Sequence, residues 1–272
     1  MAQVFLFFSG KGGVGKSVLS AASAALLARG GKSVVLVDAD LGLRSQDLYL
    51  GLENSVVFDL VDVAEGKCGL DQALLEVPDR PGLKLLPAAQ FARVRDLEPR
   101  RLKKILNQMK KEQDYILIDC PAGIERGLRN VMNAGSEMEP ILVVTPDDLC
   151  IRDAQQALTL AEKKGLPRPR LLVNRLQNDL IHAGEMYSAQ TIANLLDLPL
   201  AGEVPEDPAL VLCQLRHRLF IDFECEATRA MERVAARLRG ESPAFPEYGK
   251  RKTRFLRRRR RSIPVLREVK RS

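Results

Sequence analysis

Short apolar runs recur along the chain, separated by longer stretches in which apolar residues return at helical spacing. Val4-Phe5-Leu6-Phe7-Phe8, Ser33-Val34-Val35-Leu36-Val37, Leu83-Lys84-Leu85-Leu86, Tyr115-Ile116-Leu117-Ile118, Ile141-Leu142-Val143-Val144 and Leu171-Leu172-Val173 read as strands, and the continuous, β-branched 33–37 run as a parallel strand buried on both faces. Between the first two, Val18 to Arg29 is rich in Ala and Leu and stops at Gly30-Gly31, as a packed helix with a glycine terminus does. Leu102, Ile105, Leu106 and Met109 mark one side of a covering helix, another begins near Leu149, and the last long helical run spans Asp222 to Arg239 before Gly240, Pro243 and Pro246. Strand alternating with helix predicts an α/β fold with a doubly wound, mainly parallel sheet flanked by helices.

The turn after the first strand carries the first chemistry. Ser9-Gly10-Lys11-Gly12-Gly13-Val14-Gly15-Lys16-Ser17 meets G-x-x-x-x-G-K-[ST] at Gly10, Gly15, Lys16 and Ser17, between a strand and a helix, which is the context a phosphate-binding loop requires. Glycines let backbone amides approach phosphate oxygens, and the helix N-terminus faces the anion. In such a loop Lys16 reaches the β- and γ-phosphates of ATP and the Ser17 hydroxyl takes one position on Mg²⁺. Lys11 is an additional cation for which an ordinary phosphate loop has no geometric need.

Two further strands end in acids. Asp38-Ala39-Asp40 closes the second, and because side chains alternate along a strand, both carboxylates point one way from its carboxyl end. Asp38 is a candidate for magnesium-bound water and Asp40 for orienting the attacking water. Asp119 ends the 115–118 run in the Walker B arrangement and is a third candidate for the metal.

The 272 residues, 46% of them hydrophobic, are enough for one large domain. The +7 net charge is unevenly spread: residues 250–272 hold twelve Lys/Arg and one acid, +11, which leaves −4 for the rest. We therefore expect a domain over residues 1–240 and a basic, flexible tail over 241–272. The five cysteines (68, 120, 150, 213, 225) lack C-x-x-C spacing, and only His182 and His217 accompany them, which argues against a metal cluster or disulfide framework. Cys120 reads as a small buried filler. The first residues run into a strand without a basic flank or cleavage site, and no apolar stretch approaches the roughly 18 residues that span a bilayer; the expectation is a cytoplasmic chain, soluble or peripherally attached.

The run Lys11-Gly12-Gly13-Val14-Gly15-Lys16-Ser17 resembles the deviant Walker A loop of the MinD/ParA superfamily of ATPases. Leu41 to Leu52, Val57 to Val63 and Cys120-Pro121-Ala122-Gly123-Ile124-Glu125 resemble its septum-placing MinD branch, and the likeness runs from about residue 3 to 240. The resemblance implies a homodimer with ATP in which Lys11 crosses to the partner's nucleotide, so that hydrolysis to ADP and phosphate depends on dimerisation. It places Gly10, Lys11, Gly12, Gly13, Val14, Gly15, Lys16, Ser17 and Val18 around the phosphates. It sets Asn174 and Arg175 at the adenine, with Pro205, Glu206 and Asp207 closing over the base, and Arg44 and Asp47 in a switch region. It implies partners as well: a MinC-type division inhibitor, a MinE- or DivIVA-type topological regulator, and a partner surface that includes Asp153. Val18 departs from the usual second threonine and removes a hydroxyl near the α-phosphate.

MinD tails form an amphipathic membrane helix. Here Phe255, Leu256, Ile263 and Leu266 share a face that Lys252 and Arg259 interrupt, and Pro264 clashes with a helical backbone. Electrostatics must therefore dominate, at about 1 kcal/mol per basic residue near an anionic leaflet. An anionic membrane surface is the expected target. Nucleic acid is the alternative, as in a ParA-like partition ATPase, and a flagellar-number regulator or a phosphate-loop synthase or kinase are further readings.

Overall fold

A computed structural model describes residues 2–91, 96–135, 137–216 and 218–246. The chain runs β1 (Gln3–Phe8), α1 (Lys16–Arg29), β2 (Val34–Asp38), α2 (Gln46–Leu50), α3 (Leu60–Glu65), α4 (Leu70–Ala73), β3 (Leu75–Glu76), β4 (Leu83–Leu86), α5 (Pro99–Met109) and β5 (Tyr115–Asp119). It continues with α6 (Arg126–Met132), β6 (Glu139–Val144), α7 (Asp148–Lys163), β7 (Arg170–Leu176), α8 (Asn178–Ala183), α9 (Ala189–Leu196), β8 (Leu200–Pro205), α10 (Pro208–Leu215) and α11 (Glu226–Leu238). The tail residues 250–272, and with them the apolar face read above, lie outside the described residues, as does His217.

Among the described residues eight strands form one sheet in the order β3-β4-β2-β5-β1-β6-β7-β8, parallel throughout except for the short antiparallel pair β3–β4. β1 sits between β5 and β6, and its Phe5, Phe7 and Phe8 are fully buried. Helices on both faces remove the strands from water, which is why these strands read as continuous apolar runs rather than alternating ones. α1 is buried on nearly every side because Ala21, Ala22, Ala24 and Ala25 let it lie close to the sheet and to α11.

The sequence pattern places a helix start at Asp222, but α11 begins at Glu226. Residues 220–222 form a 3-10 turn, and the Asp222 carboxylate is spent on Arg80, 2.8 Å from its Nη2. The cap of α11 comes from elsewhere: Asp207 Oδ2 accepts from the backbone N–H groups of Glu226 (3.1 Å) and Ala227 (3.4 Å).

β8 holds a buried acid that takes no part in the site. Glu203 lies near Arg233 and Arg237 of α11, and its Oε1 has no hydrogen-bond partner among the described residues. Burial pushes its carboxyl up to about 7, against the pull of the two arginines. A folded-state value above the ordinary 4.5 means that Glu203 stabilises the fold most fully below 4.5 and that this contribution is lost as pH rises through about 7. Glu203→Gln lacks this titration. Its urea midpoint, compared with that of the native chain, is expected to gain more at pH 8 than at pH 5; an equal difference at both values refutes the assignment.

Candidate nucleotide site

Parallel pairing aligns the carboxyl ends of the central strands. Asp119 stands opposite Phe7 on one side and Asp38 on the other, so two acids and the start of the glycine loop meet at one level, where open α/β sheets hold their ligands. The loop lies in this crevice. A Cβ on Gly10 would sit 2.2 Å from the carbonyl oxygen of Asp153 in α7, so only glycine fits against that backbone. Gly15 has φ +90°, and a Cβ there would lie 2.3 Å from Asn174 Nδ2. Gly12 and Gly13 form the loop's exposed crest, while Val14 and Val18 are buried beneath it.

The loop's two lysines have different surroundings. Lys16 is buried, with Nζ 2.7 Å from Asp119 Oδ1 and 3.4 Å from Ser17 Oγ. Burial by itself lowers its pKa, but the charge and hydrogen bond of Asp119, helped by Asp40, outweigh that and hold it above the ordinary value. Lys16 is therefore a permanent cation. Lys11 is 39% exposed, with Nζ 3.7 Å from Asp147 Oδ1, a carboxylate that is 48% exposed itself. Asp147 is already committed to its own chain: it caps α7 through Cys150 N at 2.9 Å and accepts from Thr145 Oγ1 at 2.6 Å. Burial acts against ionisation of this carboxyl, but these bonds and Lys11 keep it below its usual range.

The three acids form one cluster. Asp38 is fully buried; its Oδ1 accepts from Asp40 N (3.0 Å) and its Oδ2 from Ser45 N (3.0 Å) and Gln46 N (3.1 Å). It thereby fastens the loop 39–45 to the strand end and caps α2. Burial, then the nearby charge of Asp119, pushes its carboxyl up to about 7. Asp40 is also raised, by burial against the charge of Lys16 and with that of Asp119. In the loop that follows Asp40, Arg44, at φ +40°, pairs its Nε with Asp47 Oδ2 in α2 at 2.7 Å, so both switch candidates are engaged with each other. Burial drives the Cys120 thiol well above its ordinary value, which keeps it protonated and inert.

Asn174, two residues before the end of β7, lies under the loop with Nδ2 donating to the Val14 carbonyl oxygen at 2.8 Å; its Oδ1 is buried without a partner among the described residues. Arg175 is exposed at φ +61°. Pro205 ends β8, Glu206 N donates to Leu176 O at 2.8 Å, and Asp207 ties the start of α10 to α11. Asn174 thus adjoins the loop, while Arg175 and residues 205–207 lie near or just beyond the carboxyl ends of β7 and β8. Gln46 was not picked out from the sequence: a single amide at the start of a five-residue helix carries no pattern, yet its Nε2 lies 2.6 Å from Asp119 Oδ2.

The donor set suits a magnesium nucleotide. Glycine-loop amides and Lys16 match phosphate oxygens, the Ser17 hydroxyl and Asp119 match a hard, hydrated cation, and the orphaned Oδ1 of Asn174 and Oε1 of Gln46 are buried acceptors beside the loop and beside Asp119. When bound, the cation neutralises charge on the β- and γ-phosphates.

Residues 5–220 match the CobQ/CobB/MinD/ParA nucleotide binding domain. The septum site-determining protein MinD of Synechocystis is 38% identical over 250 residues, 91% of this chain and 93% of that protein. Among solved structures, the MinC:MinD cell division protein complex of Aquifex aeolicus superposes with TM-score 0.82 at 35% identity, covering 92% of this chain and all of that one. The Mg-ADP complex of MinD from Pyrococcus horikoshii gives 0.78 at 28%, covering 88% and 96%. With its glycine loop, its buried lysine and its acids at the strand ends, the chain belongs to the MinD family of P-loop ATPases and works with ATP and Mg²⁺.

Proposed function

We propose that this ATPase is a dimerisation-dependent switch that helps to place the division septum. The observation that carries this is the contrast between the two lysines of one loop: Lys16 is buried and turned inward to Asp119, while the Lys11 side chain is partly exposed and held only by a 3.7 Å contact with Asp147. A second copy facing this rim would receive Lys11 at its own phosphates, supplying charge in trans as an arginine finger does. Exposed apolar side chains support a face of this kind, Leu43 (74% exposed) in the switch loop and Leu149 (55%) on the first turn of α7, beside Asp147.

Within each copy, Lys16 binds phosphate oxygens in exchange for Asp119, which with Ser17 and Asp38 holds the magnesium ion. Asp40, partly exposed beside Lys16, orients the attacking water. Asn174, Arg175 and residues 205–207 form the base end of the site. The ATP-bound dimer recruits a division inhibitor of the MinC kind, the partner seen in the Aquifex aeolicus complex, and a topological regulator of the MinE or DivIVA kind resets it. Among the described residues no helix is long and apolar enough to cross a membrane; attachment is assigned to the basic tail, one copy of which binds an anionic leaflet weakly while two bind together.

Co-sedimentation with anionic liposomes and with DNA tests this, each in ATP and in ADP, with the whole chain and after deletion of residues 250–272. Liposome binding that needs both ATP and the tail is the expected result. ATP-dependent DNA binding without liposome binding overturns it in favour of a partition ATPase.

A further inference from the structure

Gln46 is fully buried at the start of α2, and one side chain joins three parts of the site. Its Nε2 lies 2.6 Å from Asp119 Oδ2 on β5, 3.1 Å from the carbonyl oxygen of Ser17 and 3.2 Å from Ser20 Oγ, both on α1. Its backbone N–H donates to Asp38 Oδ2 at 3.1 Å. A carboxylate and a carbonyl only accept, so the chemistry of the neighbours fixes the amide with its nitrogen toward them and leaves Oε1 unpartnered. Asp119 is thus held on both sides, by Lys16 at Oδ1 (2.7 Å) and by Gln46 at Oδ2.

The two holds differ in kind. Lys16 neutralises the carboxylate, and phosphate oxygens compete with Asp119 for it. Gln46 carries no charge, so it restrains Asp119 without cancelling the negative charge that a cation needs. An amide that grips one oxygen and leaves the other open is what a carboxylate requires if it is to keep its direction once its lysine has gone.

We propose that Gln46 is a positioning residue for magnesium: it keeps the Asp119 carboxylate oriented when Lys16 turns to phosphate, and it makes that orientation depend on the switch loop being seated on Asp38. This rests on the assignment of Asp119 to the metal made above. Outer partners of metal-holding carboxylates typically contribute roughly 10- to 100-fold in metal affinity.

The test is equilibrium binding of a fluorescent ATP analogue to the full chain, titrated with Mg²⁺ and repeated in EDTA, alongside thermal unfolding. Gln46→Met keeps the length and roughly the volume and removes the donor; Gln46→Leu removes it with a shorter, branched side chain, should the first fail to fold. The Mg²⁺ concentration for half-maximal effect is expected to rise roughly tenfold or more, while affinity in EDTA stays within about twofold of the native chain. Unchanged Mg²⁺ dependence, or an equal loss in EDTA and in Mg²⁺, overturns the proposal. Asp119→Asn separates the two levels: if it too leaves Mg²⁺ dependence intact, the assignment of Asp119 is at fault, whereas an effect of Asp119→Asn without one of Gln46→Met sinks the role of Gln46 alone.

Discussion

Lys16→Ala is expected to remove ATP hydrolysis, by roughly 10²- to 10³-fold or more, the loss seen when a group that stabilises transition-state charge is taken away. It is also expected to weaken the fold. Lys16 and Asp119 are a buried pair at 2.7 Å, and removing one partner of such a pair typically costs about 3–5 kcal/mol because the other charge is left uncompensated. Here the cost is shared by a cluster, since Asp38 and Asp40 stand beside Asp119 and are already raised by burial. Phosphate release and urea unfolding measure the two losses. A variant that turns over within tenfold of the native rate would show that Lys16 is only a structural counter-ion.

Lys11→Ala separates two properties that Lys16→Ala removes together. Its contact with Asp147 spans 3.7 Å between partly exposed side chains, and pairs open to solvent contribute about 0–1 kcal/mol, so the fold is expected to be little affected. Nucleotide binding is expected to persist, because Lys16 and the loop amides remain. Hydrolysis is expected to fall by roughly 10³- to 10⁵-fold, the contribution of a charge supplied in trans, and sedimentation in a non-hydrolysable ATP analogue should find monomers where the native chain forms dimers. A Lys11→Ala monomer that hydrolyses at the native rate removes the basis for a trans lysine.

What could be read from the sequence follows a physical division. The glycine loop and the acids at 38, 40 and 119 were legible because the chemistry demands particular residue types at a fixed spacing beside a strand end. The central strands were legible because burial on both faces leaves no room for polar residues. β8 was not, since Gly202 and Glu203 interrupt its apolar run. The start of α11 was misplaced because its cap comes from Asp207, nineteen residues earlier, which no local signature records. Gln46 escaped for the same reason: its importance lies in Asp119, seventy-three residues away.

The bare contact between Gly10 and the backbone of α7 has a mechanical side. Neither surface there has a rotatable side chain, so the contact has no slack with which to absorb movement, and the Lys11–Asp147 pair adds a second tie one residue along the loop. A tilt of α7 by a fraction of an ångström would therefore have to be met by movement of the phosphate cradle itself.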